Sequence, residues 1–194
     1  MKSIKLFALL FISSLAFTSC SDDDKEDPGS INEEELITTL KLTLTGPGTA
    51  TTATTIEYKD IDGDGSGQAV ITPAAGLTLA KNTTYTAKIL LLNETESPAE
   101  NITTEVADEA DEHQFFYTAT SSLNADFAYA GTNDSNGNPV GIDFVITTGD
   151  ASNGSITIVL KHEPNKTAQG VKEGNAANAG GETDIQVTFP IKIE

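Results

Sequence analysis

Apolar residues occupy every second position, with polar residues between them, through most of this chain. This pattern restricts the fold more than any other feature does. The C-terminal stretch "DIQVTFPIKIE" is the clearest case, with Ile185, Val187, Phe189, Ile191 and Ile193 on one face. Strands with one apolar and one polar face are typical of antiparallel sheets packed face to face. The sequence therefore predicts an all-β fold, an antiparallel β-sandwich.

Further stretches with the strand pattern follow one another from residue 36 onward. The stronger ones are "LITTLKLTL", "GIDFVITT" and "SITIVLKHE", and the weaker ones are "TTIEYKD", "QAVITP", "TYTAKILLLN", "HQFFYTAT" and "LNADFAYAG". We expect about ten strands in all. Pro190 indicates an edge or a bulge in the last strand, because proline has no N–H to donate to a ladder. One helix is a candidate in "SPAENITTEVADEADEH" with Ser97 as its cap, although a strand suits part of that segment equally well.

A short segment between these stretches resembles the tyrosine corner of fibronectin type III and immunoglobulin-like domains. In "LTLAKNTTYTAKILLLN", Leu79, Thr83 and Tyr85 have the spacing found in those families. The resemblance implies that Tyr85 packs its ring into the core and bonds its hydroxyl back to the chain at a sheet corner. It implies an Ig-like sandwich, and an elaborated one, because about ten strands exceed the usual seven.

The N-terminal segment has the pattern of an export signal. Lys2 and Lys5 precede the apolar run "LFALLFISSLAF", which is shorter than the roughly 20 residues that a membrane-spanning helix needs. The only cysteine, Cys20, follows after Thr18 and Ser19, and "FTSC" resembles the lipobox of bacterial lipoproteins, in which the cysteine thiol takes a diacylglycerol. The alternative is a plain secretory signal with a chance cysteine beyond it. We expect residues 1–19 to be a lipoprotein signal peptide and Cys20 to be lipidated, which would anchor the chain to a membrane.

Acidic residues dominate the stretch that follows. "SDDDKEDPGSINEEE" holds eight acidic residues and one lysine. Low hydrophobicity combined with like charge predicts a solvated tether over residues 20–34, before a single domain at 35–194. The start "CSDDD" resembles the export signal of Bacteroidetes-type surface lipoproteins, which implies the outer face of the outer membrane. A lipoprotein that faces the periplasm is the alternative.

The domain is also similar to a small family of such lipoproteins in "INEEELITT", "DEHQFFY", "HEPNK" and "GGETDIQVTF". Some members of that family carry a type 1 periplasmic-binding label. The fold that this label names alternates strands with long helices, whereas the pattern here predicts a sandwich.

The net charge and the sequence motifs of the chain argue against nucleic-acid binding and against enzymatic activity. The formal net charge is −18 and the chain has no arginine, so we expect no binding to nucleic acid, which requires Lys and Arg to replace counterions. The chain has no nucleophile elbow, P-loop, dinucleotide fingerprint or H-E-x-x-H motif. We therefore expect a protein that is not an enzyme.

One acidic loop resembles the first half of a calcium site. "DIDGDGSG" places Asp60, Asp62 and Asp64 at alternate positions before a glycine, as in a calcium loop, but the twelfth position is Ile71 where a bidentate Glu belongs. "NDSNGNP" repeats the pattern more weakly. The alternative for both segments is a hairpin turn, since Asp, Asn and Gly form such turns without a metal.

The two histidines form the second candidate site. His113 and His162 each stand beside a glutamate at the end of a predicted strand. If these strands are neighbours, both imidazoles can face a transition-metal ion or a haem iron, with carboxylates completing the ligand shell. The alternative is two partly buried histidines that close hydrogen bonds at one end of the sandwich.

These observations lead to two functional expectations. The first is a lipid-anchored outer-membrane protein, exposed at the cell surface, whose sandwich serves in binding or in envelope structure without catalysis. The alternative is a lipoprotein that captures a metal ion or haem and passes it to a TonB-dependent outer-membrane receptor.

Overall fold

The computed structural model describes residues 35–47, 53–61 and 69–194. The predicted signal peptide at residues 1–19, Cys20, the tether at 20–34, and the pair Asp62 and Asp64 lie outside the described residues. No helix in the described part of the chain is long and apolar enough to cross a membrane.

Strands account for nearly all of the regular structure in the described residues. The strands are β1 Thr39–Thr45, β2 Ala53–Lys59, β3 Val70–Thr72, β4 Leu77–Leu79, β5 Thr84–Leu92, β6 His113–Ala119, β7 Ala125–Ala130, β8 Asp143–Thr148, β9 Ser152–His162 and β10 Glu182–Ile193. One α-helix, α1, spans Ile102–Asp108, and one short 3-10 turn spans Ala176–Asn178.

The strands form two sheets, which confirms the predicted all-β sandwich. One sheet has six strands in the order β3-β2-β1-β5-β8-β7, and the other has four in the order β4-β10-β9-β6. All neighbouring strands are antiparallel except β4 and β10, which are parallel. Six plus four strands exceed the seven of a constant-type immunoglobulin domain, as the sequence predicted.

The core lies between the inner faces of the two sheets. The inward residues are those that the period of two selects, and they include Leu40, Leu42, Leu44, Ile156, Ile158 and Leu160, none of which is more than 1% exposed. An aromatic group fills the side of the core near β6, where the ring of Tyr117 stacks on that of Phe144 at 3.7 Å between centroids. Burial of these side chains on both sheets holds the sandwich together.

Two local expectations have different outcomes. The predicted cap at Ser97 is wrong, because α1 begins at Ile102 and Asn101 occupies the cap position without a side-chain cap bond. The edge predicted from Pro190 is present only locally, because β10 lies between β4 and β9 but Pro190 precedes the residues that pair with β4. The three-residue β4 pairs only with Ile191–Ile193, so the β10 residues before it have β9 as their one described partner strand.

The tyrosine-corner bond is present at Tyr85. The backbone N–H of Ala80 donates to the Tyr85 hydroxyl at 2.9 Å, five residues upstream. The ring packs against the core but is only partly buried. Tyr85 therefore joins the start of β5 to the segment that leaves β4.

We expect Tyr85→Phe to lower the free energy of unfolding by about 1 kcal/mol, the typical net contribution of one hydrogen bond. Tyr85→Ala should cost about 3 kcal/mol, at the low end for an aromatic truncation because the ring is only partly buried. Urea unfolding measures both, with the exposed Thr84→Ala as a control that should stay within about 0.5 kcal/mol of wild type. A Tyr85→Ala protein as stable as wild type would contradict this role.

Candidate functional site

The two histidines of the chain lie directly opposite each other. In the antiparallel pairing of β6 with β9, His113 is the register partner of His162. Their ring centroids are 4.6 Å apart, with an angle of 31° between the ring planes. The residues are 0% and 6% exposed, on the faces that also carry Phe115 and Leu160. The expectation that neighbouring strands bring both imidazoles together is therefore confirmed.

Glu35 approaches this pair from the segment that precedes β1. Its Oε1 atom lies 3.1 Å from Nε2 of His113, and its side chain is 10% exposed. On the other side of the ring, Nδ1 of His113 lies 3.3 Å from the carbonyl oxygen of Glu109, the C-cap residue of α1. Because a carbonyl only accepts, Nδ1 is the nitrogen that carries a proton, and Nε2 faces a carboxylate.

A β-bulge brings in a second carboxylate. The register of β10 against β9 shifts between Thr183 and Ile185, which leaves Asp184 as the extra residue. Its side chain is 1% exposed, and its Oδ2 atom lies 3.9 Å from Nε2 of His113. The bulge therefore directs Asp184 into the site, although strict alternation would place its side chain on the outer face of the sheet.

The charges of this cluster interact across short distances. Burial by itself lowers the pKa of His113, but the carboxylate of Glu35 and the charge of Asp184 outweigh it and raise this pKa above its usual 6.5. The contact with His113 lowers the pKa of Glu35, against the opposing effect of burial. The carboxylate of Glu35 therefore favours a proton on Nε2 of His113.

Two ring nitrogens of the cluster lack a well-directed hydrogen bond. They are Nε2 of His113 and Nδ1 of His162, and both are buried. The contact between Glu35 and His113 is within ion-pair distance, but the hydrogen-bond direction is poor. Buried polar atoms in proteins nearly always have a partner. A cation between these atoms would provide one.

The donor set suits a single transition-metal ion. Glu35, His113 and His162 each offer one ligand atom, and these atoms lie within 4.8 Å of one another. Imidazole nitrogens with a carboxylate oxygen are the usual ligands of Zn²⁺ and related ions. Haem with both imidazoles as axial ligands does not suit this geometry. Axial ligands lie on opposite faces of the porphyrin, whereas these rings lie side by side at 4.6 Å.

Of the three predicted calcium ligands, only Asp60 lies within the described residues. Its side chain is buried, with Oδ2 accepting a hydrogen bond from the Tyr58 hydroxyl at 3.3 Å. Its backbone N–H donates to the carbonyl of Thr38 at 2.8 Å. Asp62 and Asp64 lie outside the described residues, so calcium binding by this loop stays a prediction.

The weaker calcium candidate, "NDSNGNP", is a turn that its own side chains hold. Oδ1 of Asp134 accepts the backbone N–H groups of Asn136 and Asn138 at 2.9 and 2.7 Å. Oδ2 lies 3.4 Å from the ammonium of Lys166, a buried side chain that also donates to the carbonyl of Ala110. The lysine supplies the positive charge here, which supports the turn alternative.

Two clefts of the described structure lie apart from the histidines. One, of about 770 Å³, is lined mainly by threonines and small apolar residues of β1, β5 and α1. The other, of about 680 Å³, lies between the edges of β6 and β7. Neither has His113, His162 or Glu35 in its lining. The histidine cluster therefore remains the strongest candidate site.

No family model, curated protein or solved structure matches this chain. The proposed role of the site therefore rests on its geometry alone.

Sequence reasoning identified the two histidines but missed Glu35 and Asp184. Glu35 is the last of three glutamates in an acidic stretch, and nothing in that stretch distinguishes it from its neighbours. Asp184 directly precedes Ile185 in an alternating strand, so the period of two places it on the outer face. The one sequence signal for the bulge was the pair of glycines in "AGGETD", because glycine in a strand often marks a bulge.

We expect the metal-free protein to be most stable in a window of pH set by Glu35 and His113. A raised His113 pKa contributes stability that is complete below the unfolded value near 6.5 and is lost as pH rises through the folded value. A lowered Glu35 pKa contributes stability that is present above the unfolded value near 4.5 and is lost as pH falls through the folded value. Thermal melts across pH, in the presence of a chelator, should therefore show a maximum between these limits.

The matched variants for this test are Glu35→Gln and the exposed Glu96→Gln. The first should flatten the pH profile, because it removes the charge that raises the His113 pKa, and the second should leave the profile unchanged. Identical profiles for Glu35→Gln and wild type would show that the ion pair does not contribute to stability.

Proposed function

We propose that this protein is a lipid-anchored binding protein of the cell envelope, without enzymatic activity, whose β-sandwich holds one transition-metal ion at Glu35, His113 and His162. The observation that carries the proposal is the pair of buried ring nitrogens without a well-directed hydrogen bond, beside a carboxylate that is 10% exposed. Imidazole nitrogens and a carboxylate oxygen are ligand types that proteins commonly use for Zn²⁺.

The position of the His113 ring supports metal binding. The hydrogen bond from Nδ1 to the carbonyl of Glu109 sets the ring orientation and leaves Nε2 as the ligand atom. Metal-binding histidines commonly have such a backbone or carboxylate partner on the other nitrogen. A metal ion would take the place of the proton between Nε2 and Glu35, so binding should release a proton wherever His113 is charged.

The burial of the ligands supports binding rather than catalysis. The side chains of His113, His162 and Glu35 are 0, 8 and 10% exposed. A catalytic metal keeps an open coordination position that a substrate reaches from solvent. Ligands this deeply buried give a substrate little access to the ion and suit retention of the metal.

The proposed location rests on the N-terminal sequence. Lipidation of Cys20 would hold the domain at the outer membrane, and the acidic tether would extend it from the membrane surface. The net charge of −18 attracts cations to the protein. Transfer of the bound ion to an outer-membrane receptor is part of this proposal. Should no metal bind, the sandwich would remain a candidate for binding another partner or for envelope structure.

The test uses the full chain with Cys20→Ser, so that an unlipidated thiol does not itself bind metal. Calorimetric titration with Zn²⁺ and with Cu²⁺ should give one site per chain, and a hundredfold excess over the dissociation constant should stabilise the fold by about 2.7 kcal/mol. His113→Ala and His162→Ala should each abolish most of this gain, whereas Asp126→Asn, an exposed residue of β7, should retain it. Affinity should fall as pH drops through the His113 pKa, which lies above its usual 6.5, because the ligands must be neutral imidazoles.

A wild-type protein that shows no stoichiometric binding of either ion would overturn the metal proposal. Binding that survives both histidine substitutions would place the ion elsewhere, for instance on the acidic tether.

The anchor has a separate test. Cys20→Ala should abolish incorporation of labelled fatty acid and move the protein out of the membrane fraction, because no other cysteine can take the lipid. A conservative change at the neighbouring Ser21→Ala should leave both unchanged. Fatty-acid labelling of the Cys20→Ala protein would show that the lipoprotein assignment is wrong.

A further inference from the structure

A second set of ligand atoms adjoins His162. Glu112, His162 and Glu163 each offer an atom, and these atoms lie within 4.8 Å of one another. Glu112 and Glu163 are exposed, and Oε2 of Glu112 lies 3.5 Å from Nε2 of His162. We call these three residues the outer set, and Glu35, His113 and His162 the inner set. His162 belongs to both.

The backbone holds the two exposed glutamates together. The N–H of Glu163 donates to the carbonyl of Glu112 at 2.6 Å. Glu163 has a φ of 48°, in the left-handed region that side chains with a Cβ rarely adopt. Gly181 packs against this point so closely that a Cβ on it would lie 2.2 Å from the carbonyl oxygen of His162. The position of Glu163 beside His162 is thus determined by its neighbours.

The imidazole of His162 joins the outer set to the inner set. His162 is 6% exposed, and its Nδ1 atom is buried without a hydrogen-bond partner, while its Nε2 atom faces Glu112. One imidazole therefore adjoins exposed carboxylates and also belongs to the buried inner set. No hydrogen bond to the protein uses the Nδ1 atom.

A buried metal site needs a route of entry, since a dication must lose its water as its ligands replace it. The inner set has ligands that are no more than 10% exposed, whereas both glutamates of the outer set are reached from solvent. Two carboxylates with one shared imidazole can replace part of the water shell while the ion is still at the surface. An ion that moved around the shared imidazole would exchange Glu112 and Glu163 for His113 and Glu35.

We propose that the outer set is a second, weaker binding position, through which a transition-metal dication enters and leaves the inner set. This inference rests on the proposed function, because it requires the inner set to bind metal. His162 is the shared ligand, and Glu112 and Glu163 are ligands in transit that do not hold the ion in its final position.

This role has a kinetic signature. A group that binds the ion only in transit lowers the barrier in both directions without changing the final bound state. Replacing Glu112 and Glu163 should therefore reduce the association and dissociation rate constants by the same factor. The dissociation constant, which is their ratio, should stay as it was.

The experiment follows Zn²⁺ uptake and release by stopped flow, with a weak chromophoric chelator as donor and a strong one as acceptor. The protein is the full chain with Cys20→Ser, compared with Glu112→Gln/Glu163→Gln in the same background. The matched control is Asp126→Asn/Asp150→Asn, which removes the same charge from two exposed residues that belong to neither ligand set. Glu112→Gln alone serves as the second variant, should the double variant fail to fold.

We expect both rate constants of the double variant to fall by about tenfold, within the range that local charge gives to association rates, with the dissociation constant within about twofold of wild type. The control pair should leave both rate constants nearly unchanged. Unchanged rates in the double variant, or an equal fall in the control pair, would overturn the inference. Weaker equilibrium binding with faster release would overturn it as well, since the glutamates would then be ligands of the stored ion.

The design separates this inference from the proposed function. If wild type binds Zn²⁺ stoichiometrically through His113 but the double variant exchanges it at the wild-type rate, only the entry role is wrong. If wild type does not bind Zn²⁺, both proposals are wrong.

Discussion

The register of β6 against β9 is the constraint on which the candidate site depends. It places His113 opposite His162 at the end of two strands whose inner faces build the core. The buried residues of β9 alternate, so a slip of one residue would turn Ile156, Ile158 and Leu160 away from the core. The same slip would separate the two imidazoles. Burial of the core thus enforces the contact between the histidines, although the histidines contribute little to the apolar core themselves.

Buried charge is handled in two different ways at this end of the sandwich. The ammonium group of Lys166 contacts the carboxylate of Asp134 and the carbonyl of Ala110. The negative charge of Asp134 is therefore balanced by a side chain of the protein itself. The histidine cluster instead brings together two imidazoles and two carboxyl groups, with ring nitrogens that lack well-directed hydrogen bonds. Charged groups in the interior are costly unless they are paired. A bound dication would satisfy the second cluster much as the ammonium of Lys166 satisfies the first.

Residues outside the regular parts of β6 and β9 complete the candidate site. The end of α1 supplies the carbonyl of Glu109 that orients His113, and the bulge in β10 supplies Asp184. The segment before β1 supplies Glu35, directly after the acidic stretch that we assign as the tether. The proposed metal site therefore includes the first of the described residues. An ion held by Glu35 would also fasten that segment to the β6–β9 end of the sandwich.

The sequence by itself determined the sandwich and the faces of its strands, because a period of two is a local property that burial of one sheet face enforces. It indicated that His113 and His162 lie on the inner faces of two strands, and it marked Tyr85 as a corner residue. Only the tertiary structure decided that β6 pairs with β9 in this register. It also brought Glu35 and Asp184 to His113 from positions 78 residues before it and 71 residues after it. Such contacts depend on chain pairing, on a bulge and on a helix end, and none of these leaves a periodic signal in the residues that they bring together.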